Sequence, residues 1–251
     1  MAIQSSNELD TVVAKVDYLF RDPRHEEEIP YMLGFDANGV IPQTNMQDET
    51  HEVVIQNFRS LQGHTSFENY GFTSAFIDRP LAAADFRNDN ALRRRDPDFT
   101  GTEEISQTVQ PATHYTLNSA EKTAHAFFKD EAQKCRRLIT VNCWASFQGP
   151  GNDWPLAVCD SNSIHYKLDS ISADRVFHDR FTEIQRYYYS PKHKWYFLKD
   201  MKAGEMLVFR QTDSDIDGGG GVAHTSFCNP DTEHGAAVRE SIELRAFVFY
   251  S

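Results

Sequence analysis

The chain has 251 residues and a formal net charge of −12, from 25 Lys and Arg against 37 Asp and Glu. That length suffices for one large all-β or α+β domain, and the acidic balance excludes a charge-driven grip on nucleic acid or an anionic membrane. No apolar run is long enough to cross a bilayer, and Met1 to Glu8 lack the basic and apolar regions of a signal peptide, so a cytoplasmic protein is expected.

The first fifty residues carry weak strand signals such as Thr11-Val12-Val13, then a loop around Ile41-Pro42-Gln43. Glu52 to Phe58 and Tyr70 to Phe76 read as strands. From Arg79 to Gln110 the chain is polar and interrupted by Pro80 and Pro97, which predicts a helix or two among loops. Asn118 with Glu121 three residues on resembles a capping box, and Ala124, Phe127, Phe128, Ala132 and Cys135 recur at helical spacing, which predicts a helix over 119–135. Short β signals follow at 137–144, 155–159, 186–189, 194–197, 206–209 and 223–227, with a last one at 238–249. Seven short strands between turn residues point to a sandwich or barrel-like core. The four cysteines (Cys135, Cys143, Cys159, Cys228) have no CxxC spacing, so free thiols are expected rather than a structural zinc site. Cys143 and Cys159 also lack a basic neighbour that would make either a nucleophile.

In the last segment Arg239, Ser241, Glu243 and Arg245 alternate with Ile242, Leu244, Ala246 and Val248. A polar face on a core strand needs partners, because buried charge is costly unless paired. Arg–Glu pairing is one account, with Arg245 placed beside Glu243. An anionic ligand held by Arg239 is the other. Asp213 to Gly218 matches the start of a calcium loop, but the twelfth position carries His224 instead of a bidentate Glu, so the segment reads as a solvated, glycine-rich lid.

Several motifs in order resemble the fungal hydroxylase/desaturase family. They are Asn142-Cys143-Trp144, Asp153 to Asp160, His193 to Phe197, Glu205 to Phe209, Asp213-Ser214, Ala223 to Phe227 and Arg239 to Arg245. The likeness covers 111–251 well and 50–76 weakly. It implies a mainly β, α+β protein with a double-stranded β-helix core of the jelly-roll or cupin kind. The chain would form one oxygenase-like domain, with N-terminal strands and helices in 1–110 and the β-helix in 111–251. It further implies an Fe(II) site made by a His-x-Asp pair and a distal His, with 2-oxoglutarate as co-substrate. The distal ligand falls on His224, and the co-substrate carboxylate site on Arg239 and Ser241. The His-x-Asp pair falls on Ala112 and His114, so the metal His is replaced by Ala112 and the Asp by His114. A weak site using His114 and His224 is conceivable, but loss of ordinary iron binding, and so of both cofactors, is the expectation.

Three functions follow. One is a non-redox enzyme of secondary metabolism, catalysing dehydration, isomerisation or cyclisation. His114, Tyr115, His224 and Arg239 would act on a small molecule bound against Asn142 and Trp144. The second is an active 2-oxoglutarate-dependent hydroxylase or desaturase. The third is an inactive partner of an active homologue in a homo- or heterodimer. Packing is the simpler role for Trp144 and Tyr115 taken alone. The aromatic residues Trp144, Tyr187 to Tyr189 and Trp195 fit an apolar or aromatic ligand and fit an ordinary β core equally well.

Overall fold

The computed structural model describes residues 10–61, 66–78, 110–113, 115–147, 149–233, 236 and 239–251. The helices expected between Arg79 and Gln110 therefore fall on 79–109, outside the described residues, as does His114. Thirteen strands are described: β1 Thr11–Leu19, β2 Tyr31–Leu33, β3 Asp48–Asn57, β4 Phe72–Phe76, β5 Ala112–Thr113, β6 Arg137–Ser146, β7 Leu156–Cys159, β8 Ser170–Val176, β9 Phe181–Tyr187, β10 Trp195–Phe197, β11 Glu205–Asp213, β12 His224–Ser226 and β13 Ser241–Tyr250. They form a nine-stranded sheet, ordered β1-β3-β10-β7-β12-β5-β9-β8-β2, and a four-stranded sheet, ordered β13-β6-β11-β4. The fold is mainly β with few helices, as expected of a jelly-roll core.

Strand β7 shows why the sheets pack. Leu156 and Val158 join Phe72, Trp144, Leu207 and Phe209 of the four-stranded sheet in one core. Ala157 and Cys159 face the other way, into a second core with Val16, Tyr18, Ile55 and Trp195. A strand buried on both faces reads as an unbroken apolar run, which is how Pro155 to Cys159 looks in the sequence.

The helix expected over 119–135 is two helices, α2 Leu117–Phe127 and α3 Lys129–Lys134, after a single-turn α1 at Phe67–Tyr70. Its cap is Thr116, whose hydroxyl oxygen accepts from the Ser119 amide at 3.3 Å, and not Asn118. Glu183 of β9 takes the Thr116 hydroxyl hydrogen, so a tertiary contact fixes the start. The break falls at Phe128, whose ring packs on Phe247 and Phe249 at 5.4 and 5.5 Å between centroids. Docking that ring on β13 outweighs one more turn of helix.

The aromatic residues that fit either a ligand cavity or a β core mostly build the second core. Tyr187 and Trp195 are buried there, and the Tyr18 hydroxyl accepts from Trp195 Nε1 at 2.7 Å and lies 3.4 Å from His193 Nδ1. Burial pulls His193 below its ordinary value of 6.5, and the Asp169 carboxylate opposes this only in part. A depressed folded-state value means that the unfolded chain binds more protons at acid pH. The stability is therefore present above pH 6.5 and is lost as pH falls below it. Melting temperature is expected to drop between pH 7 and pH 5, and less so in His193→Gln. Equal pH dependence in both proteins would remove His193 as the cause.

Candidate functional site

The site lies where the two sheets face each other. His224 opens β12 and pairs with Val158 of β7 on one side and Ala112 of β5 on the other. Directly opposed residues of antiparallel strands share a face, so all three point toward the four-stranded sheet. The His224 ring lies 4.8 Å from the ring of Phe209 on β11. His224 Nδ1 is 3.0 Å from the Val222 carbonyl oxygen, which can only accept, so Nδ1 carries the hydrogen and Nε2 the lone pair. Burial brings its pKa down to about 4, and the nearby Arg245 guanidinium adds to the effect, so the imidazole is neutral at pH 7.

The opposite wall comes from β6 and β13. Ser241, Glu243 and Arg245 stand opposite Ser146, Trp144 and Asn142. The polar face of β13 is therefore its inner face. The apolar face is turned outward, with Leu244 59% and Val248 37% exposed. This reverses the usual pattern of a strand with one wet side, and both the Arg–Glu pairing and an anionic ligand remain accounts of that face, with Arg245 and Glu243 3.7 Å apart.

Two arginines anchor this wall. The Arg239 guanidinium lies 5.0 Å from the Trp144 ring centre, and its Nη1 donates to Ser241 Oγ at 2.6 Å. Its Nε is buried without a hydrogen-bond partner, and no carboxylate among the described residues forms an ion pair with it. Burial pulls its pKa down while the Asp153 carboxylate opposes this. Arg245 lies 4.2 Å over the Tyr115 ring and donates through Nε to Asn142 Oδ1 at 3.0 Å. Its Glu243 contact, at 3.7 Å, is the longer one.

The sequence candidates Tyr115, Asn142, Trp144, His224, Arg239 and Ser241 thus meet around one interior, although their roles divide. Trp144 is a core residue and a platform for Arg239. Tyr115 is a platform for Arg245, and its hydroxyl oxygen accepts from Thr123 at 3.4 Å. Phe209 and the Arg245–Asn142 bond had no signal in the sequence, because both depend on which strands are neighbours.

The glycine-rich segment is solvated in part: Asp215, Asp217 and Gly218 are exposed, while the residues on either side of them are held in the fold. Asp213 ends β11, fully buried, and its carboxylate accepts from Arg137 Nε at 2.9 Å and Nη2 at 2.6 Å. Gly219, Gly220 and Gly221 are buried. The Gly220 carbonyl accepts from Arg210 Nε at 2.6 Å, and the Gly221 carbonyl from the hydroxyls of Tyr166 and Tyr187 at 3.1 and 3.2 Å. The segment is a pinned support for His224, and a side-chain pair with Arg137 takes the aspartate that suggested calcium.

The residues fit the two family cofactors unequally. A carboxylate fits Arg239, whose buried Nε lacks an acceptor. Iron does not fit the described residues in the same way. The position beside His224 that would carry a second ligand holds the methyl group of Ala112, which has no donor atom.

The comparisons with known proteins agree with this architecture. The model of the Oxidoreductase/YMDC permease-like domain matches residues 88–249. The hydroxylase/desaturase asaB of Aspergillus flavus is 34% identical over 187 residues, covering 68% of this chain and 81% of that protein. Aspirochlorine biosynthesis protein N of Aspergillus oryzae is 30% identical over 137 residues, 52% of this chain and 57% of that protein. The Fe(II)/2-oxoglutarate-dependent dioxygenase nvfI of Aspergillus novofumigatus is 29% identical, and the match spans 54% of this chain but only half, 50%, of that relative. In structure, a single-residue variant of the iron and alpha-ketoglutarate-dependent endoperoxidase NvfI aligns with TM-score 0.81 and 19% identity, covering 97% of this chain and 99% of the other.

Proposed function

This chain belongs to the fungal hydroxylase/desaturase family, and we propose that it is a secondary-metabolite enzyme that has kept the carboxylate anchor and given up ordinary iron binding. One observation supports the reading: Ala112, the position to which the family resemblance assigns a metal ligand, stands in direct register with His224. The chemistry left to the chain is non-redox, such as dehydration, isomerisation or cyclisation of a small acid.

In this reading Arg239 Nε donates to the substrate carboxylate while Ser241 holds the other edge of the guanidinium. The fixed positive charge stabilises an enolate-like negative charge developing next to that carboxylate. His224 receives a proton at Nε2. Its depressed pKa makes it a weak base on its own, and an anionic substrate nearby raises it toward neutrality. His114 is the second proton carrier, a role assigned from its place in the sequence beside Ala112 and Thr113.

The test is an anaerobic titration of the protein with Fe(II) and 2-oxoglutarate, following the visible charge-transfer band of the ternary complex. The expected result is no band from folded protein. A stoichiometric band overturns the proposal in favour of a 2-oxoglutarate-dependent hydroxylase or desaturase with His114 and His224 as ligands. The names of the relatives, which include Fe(II)/2-oxoglutarate-dependent dioxygenases, favour that second reading.

A further inference from the structure

The two sheets have four edges, and an edge strand recruits another strand unless something blunts it. Three of the four are blunted. Strands β2 and β4 are only 3 and 5 residues long. Strand β1 has 9 residues, but Lys15 and Asp17 put charge on the face it shares with Thr11 and Val13. The fourth edge is β13, which is 10 residues long and pairs with β6 in unbroken register from Ser241 to Tyr250. It has no proline and no bulge, and its outward face, Ile242, Leu244, Ala246, Val248 and Tyr250, has no charge. Leu244 is 59% exposed there. Among the described residues no strand lies along its other side.

The strand is complementary to itself. Two copies of β13 set side by side about a two-fold axis run antiparallel, so the residue on the axis faces its own copy. Charge decides which residue that is. With Glu243 or Arg245 on the axis, like charges are directly opposed, which destabilises the pair. With Ala246 on it, Arg245 faces the partner's Phe247 and Glu243 the partner's Phe249. With Leu244 on it, Glu243 faces the partner's Arg245 and Arg245 the partner's Glu243, giving two opposite-charge pairs. Both side chains reach the edge, with Arg245 23% and Glu243 33% exposed. On the outward face the same axis sets Leu244 against its copy and takes an exposed leucine out of water.

We propose that β13 pairs with the β13 of a second copy of this chain about an axis at Leu244, joining two four-stranded sheets into one. The partner then contributes to the inner wall. Arg245 lies over Tyr115 and donates to Asn142 from one side, and the partner's Glu243 holds it from the other. The occupant is a second copy because the charge pattern of β13 answers its own.

The test begins with light scattering on the full chain over a dilution series. The expected mass is twice the 28.7 kDa of one chain at the concentrated end, falling toward one chain on dilution. Leu244→Lys puts two ammonium groups on the axis. It is expected to be monomeric throughout with an unchanged melting temperature, because the side chain it replaces is exposed. An equimolar mixture of Leu244→Lys and Leu244→Glu is expected to restore a dimer of one chain of each kind. Cross-linking reads the register. Cys143 is the register partner of Leu244 and Cys228 is exposed, so Cys143→Ser and Cys228→Ser form the background. In it Leu244→Cys is expected to give a disulfide-linked dimer on mild oxidation, since opposed Cα atoms about 4.5–5.5 Å apart suit that bond. Ala246→Cys faces the partner's Ile242 and is expected not to cross-link. A monomer at every concentration overturns the inference and leaves the edge to another occupant. So does a dimer that Leu244→Lys leaves intact, or one that Ala246→Cys cross-links as readily as Leu244→Cys.

Discussion

The double variant Ala112→His/His114→Asp is expected to bind one Fe(II) per chain and to develop the charge-transfer band with 2-oxoglutarate that the proposed function denies to the wild type. The argument is geometric. Ala112 and His224 are register partners on β5 and β12 and share a face, and opposed Cα atoms in an antiparallel pair lie about 4.5–5.5 Å apart. An imidazole grown from position 112 therefore stands next to that of His224. Removing even an outer-shell partner of a metal ligand commonly costs about 10–100-fold in affinity. Supplying a missing ligand and a carboxylate charge is expected to gain at least the upper end of that range, about 100-fold. Ala112→His alone should give an intermediate gain, with Arg239→Ala removing the 2-oxoglutarate band while leaving metal binding. If the double variant binds Fe(II) no better than the wild type, position 112 is not the vacated ligand position, and the proposed loss of iron binding fails with it.

How far the site was legible in the sequence follows from which residues are neighbours along the chain. The Ala112-x-His114 and Arg239-x-Ser241 pairs are local patterns, so they could be read before any fold was known. The strand core was legible too, because Leu156 to Cys159 and Arg137 to Ser146 have lengths and compositions that suit buried strands. What escaped was whatever depends on register. Nothing in the sequence says that Asn142 stands opposite Arg245 on one side and Phe209 on the other. The inner and outer faces of β13 were also open, since alternation tells which residues share a face and not which face is buried. The glycine run was legible in part for a related reason, with Asp215, Asp217 and Gly218 exposed as expected and Gly219 to Gly221 buried. Glycine suits both an exposed flexible loop and a close approach of two backbones, and here the second applies.

That close approach makes Gly221 the most sensitive backbone position near the site. A Cβ placed there would lie 2.4 Å from the Gln211 carbonyl oxygen and 3.0 Å from Thr113 Cγ2. The first distance is to backbone of β11, which cannot turn aside as a long side chain would. Gly221 also precedes Val222, whose amide donates to the Arg210 carbonyl at 2.8 Å and whose own carbonyl orients the His224 ring. Gly221→Ala must therefore push apart β11 and the segment leading into β12. Overpacking of this kind costs about 1–3 kcal/mol, and the loss of two tyrosine hydrogen bonds places the expected value near the top of that range or above it. For a domain of this size that corresponds to a fall of roughly 5–10 °C in melting temperature. Gly219→Ala is the contrast. Its φ of +79° carries a backbone penalty, but the nearest atom, Leu117 Cβ, is at an ordinary 3.6 Å. Only a conformational cost on the order of 1 kcal/mol is expected there. Thermal melts of the two variants, with acid binding measured on both, separate the effects. Gly221→Ala should lose stability and weaken ligand binding together, because the displaced backbone carries His224 with it. A Gly221→Ala protein as stable as Gly219→Ala, with binding intact, would mean that the support under His224 is far more yielding than this packing implies.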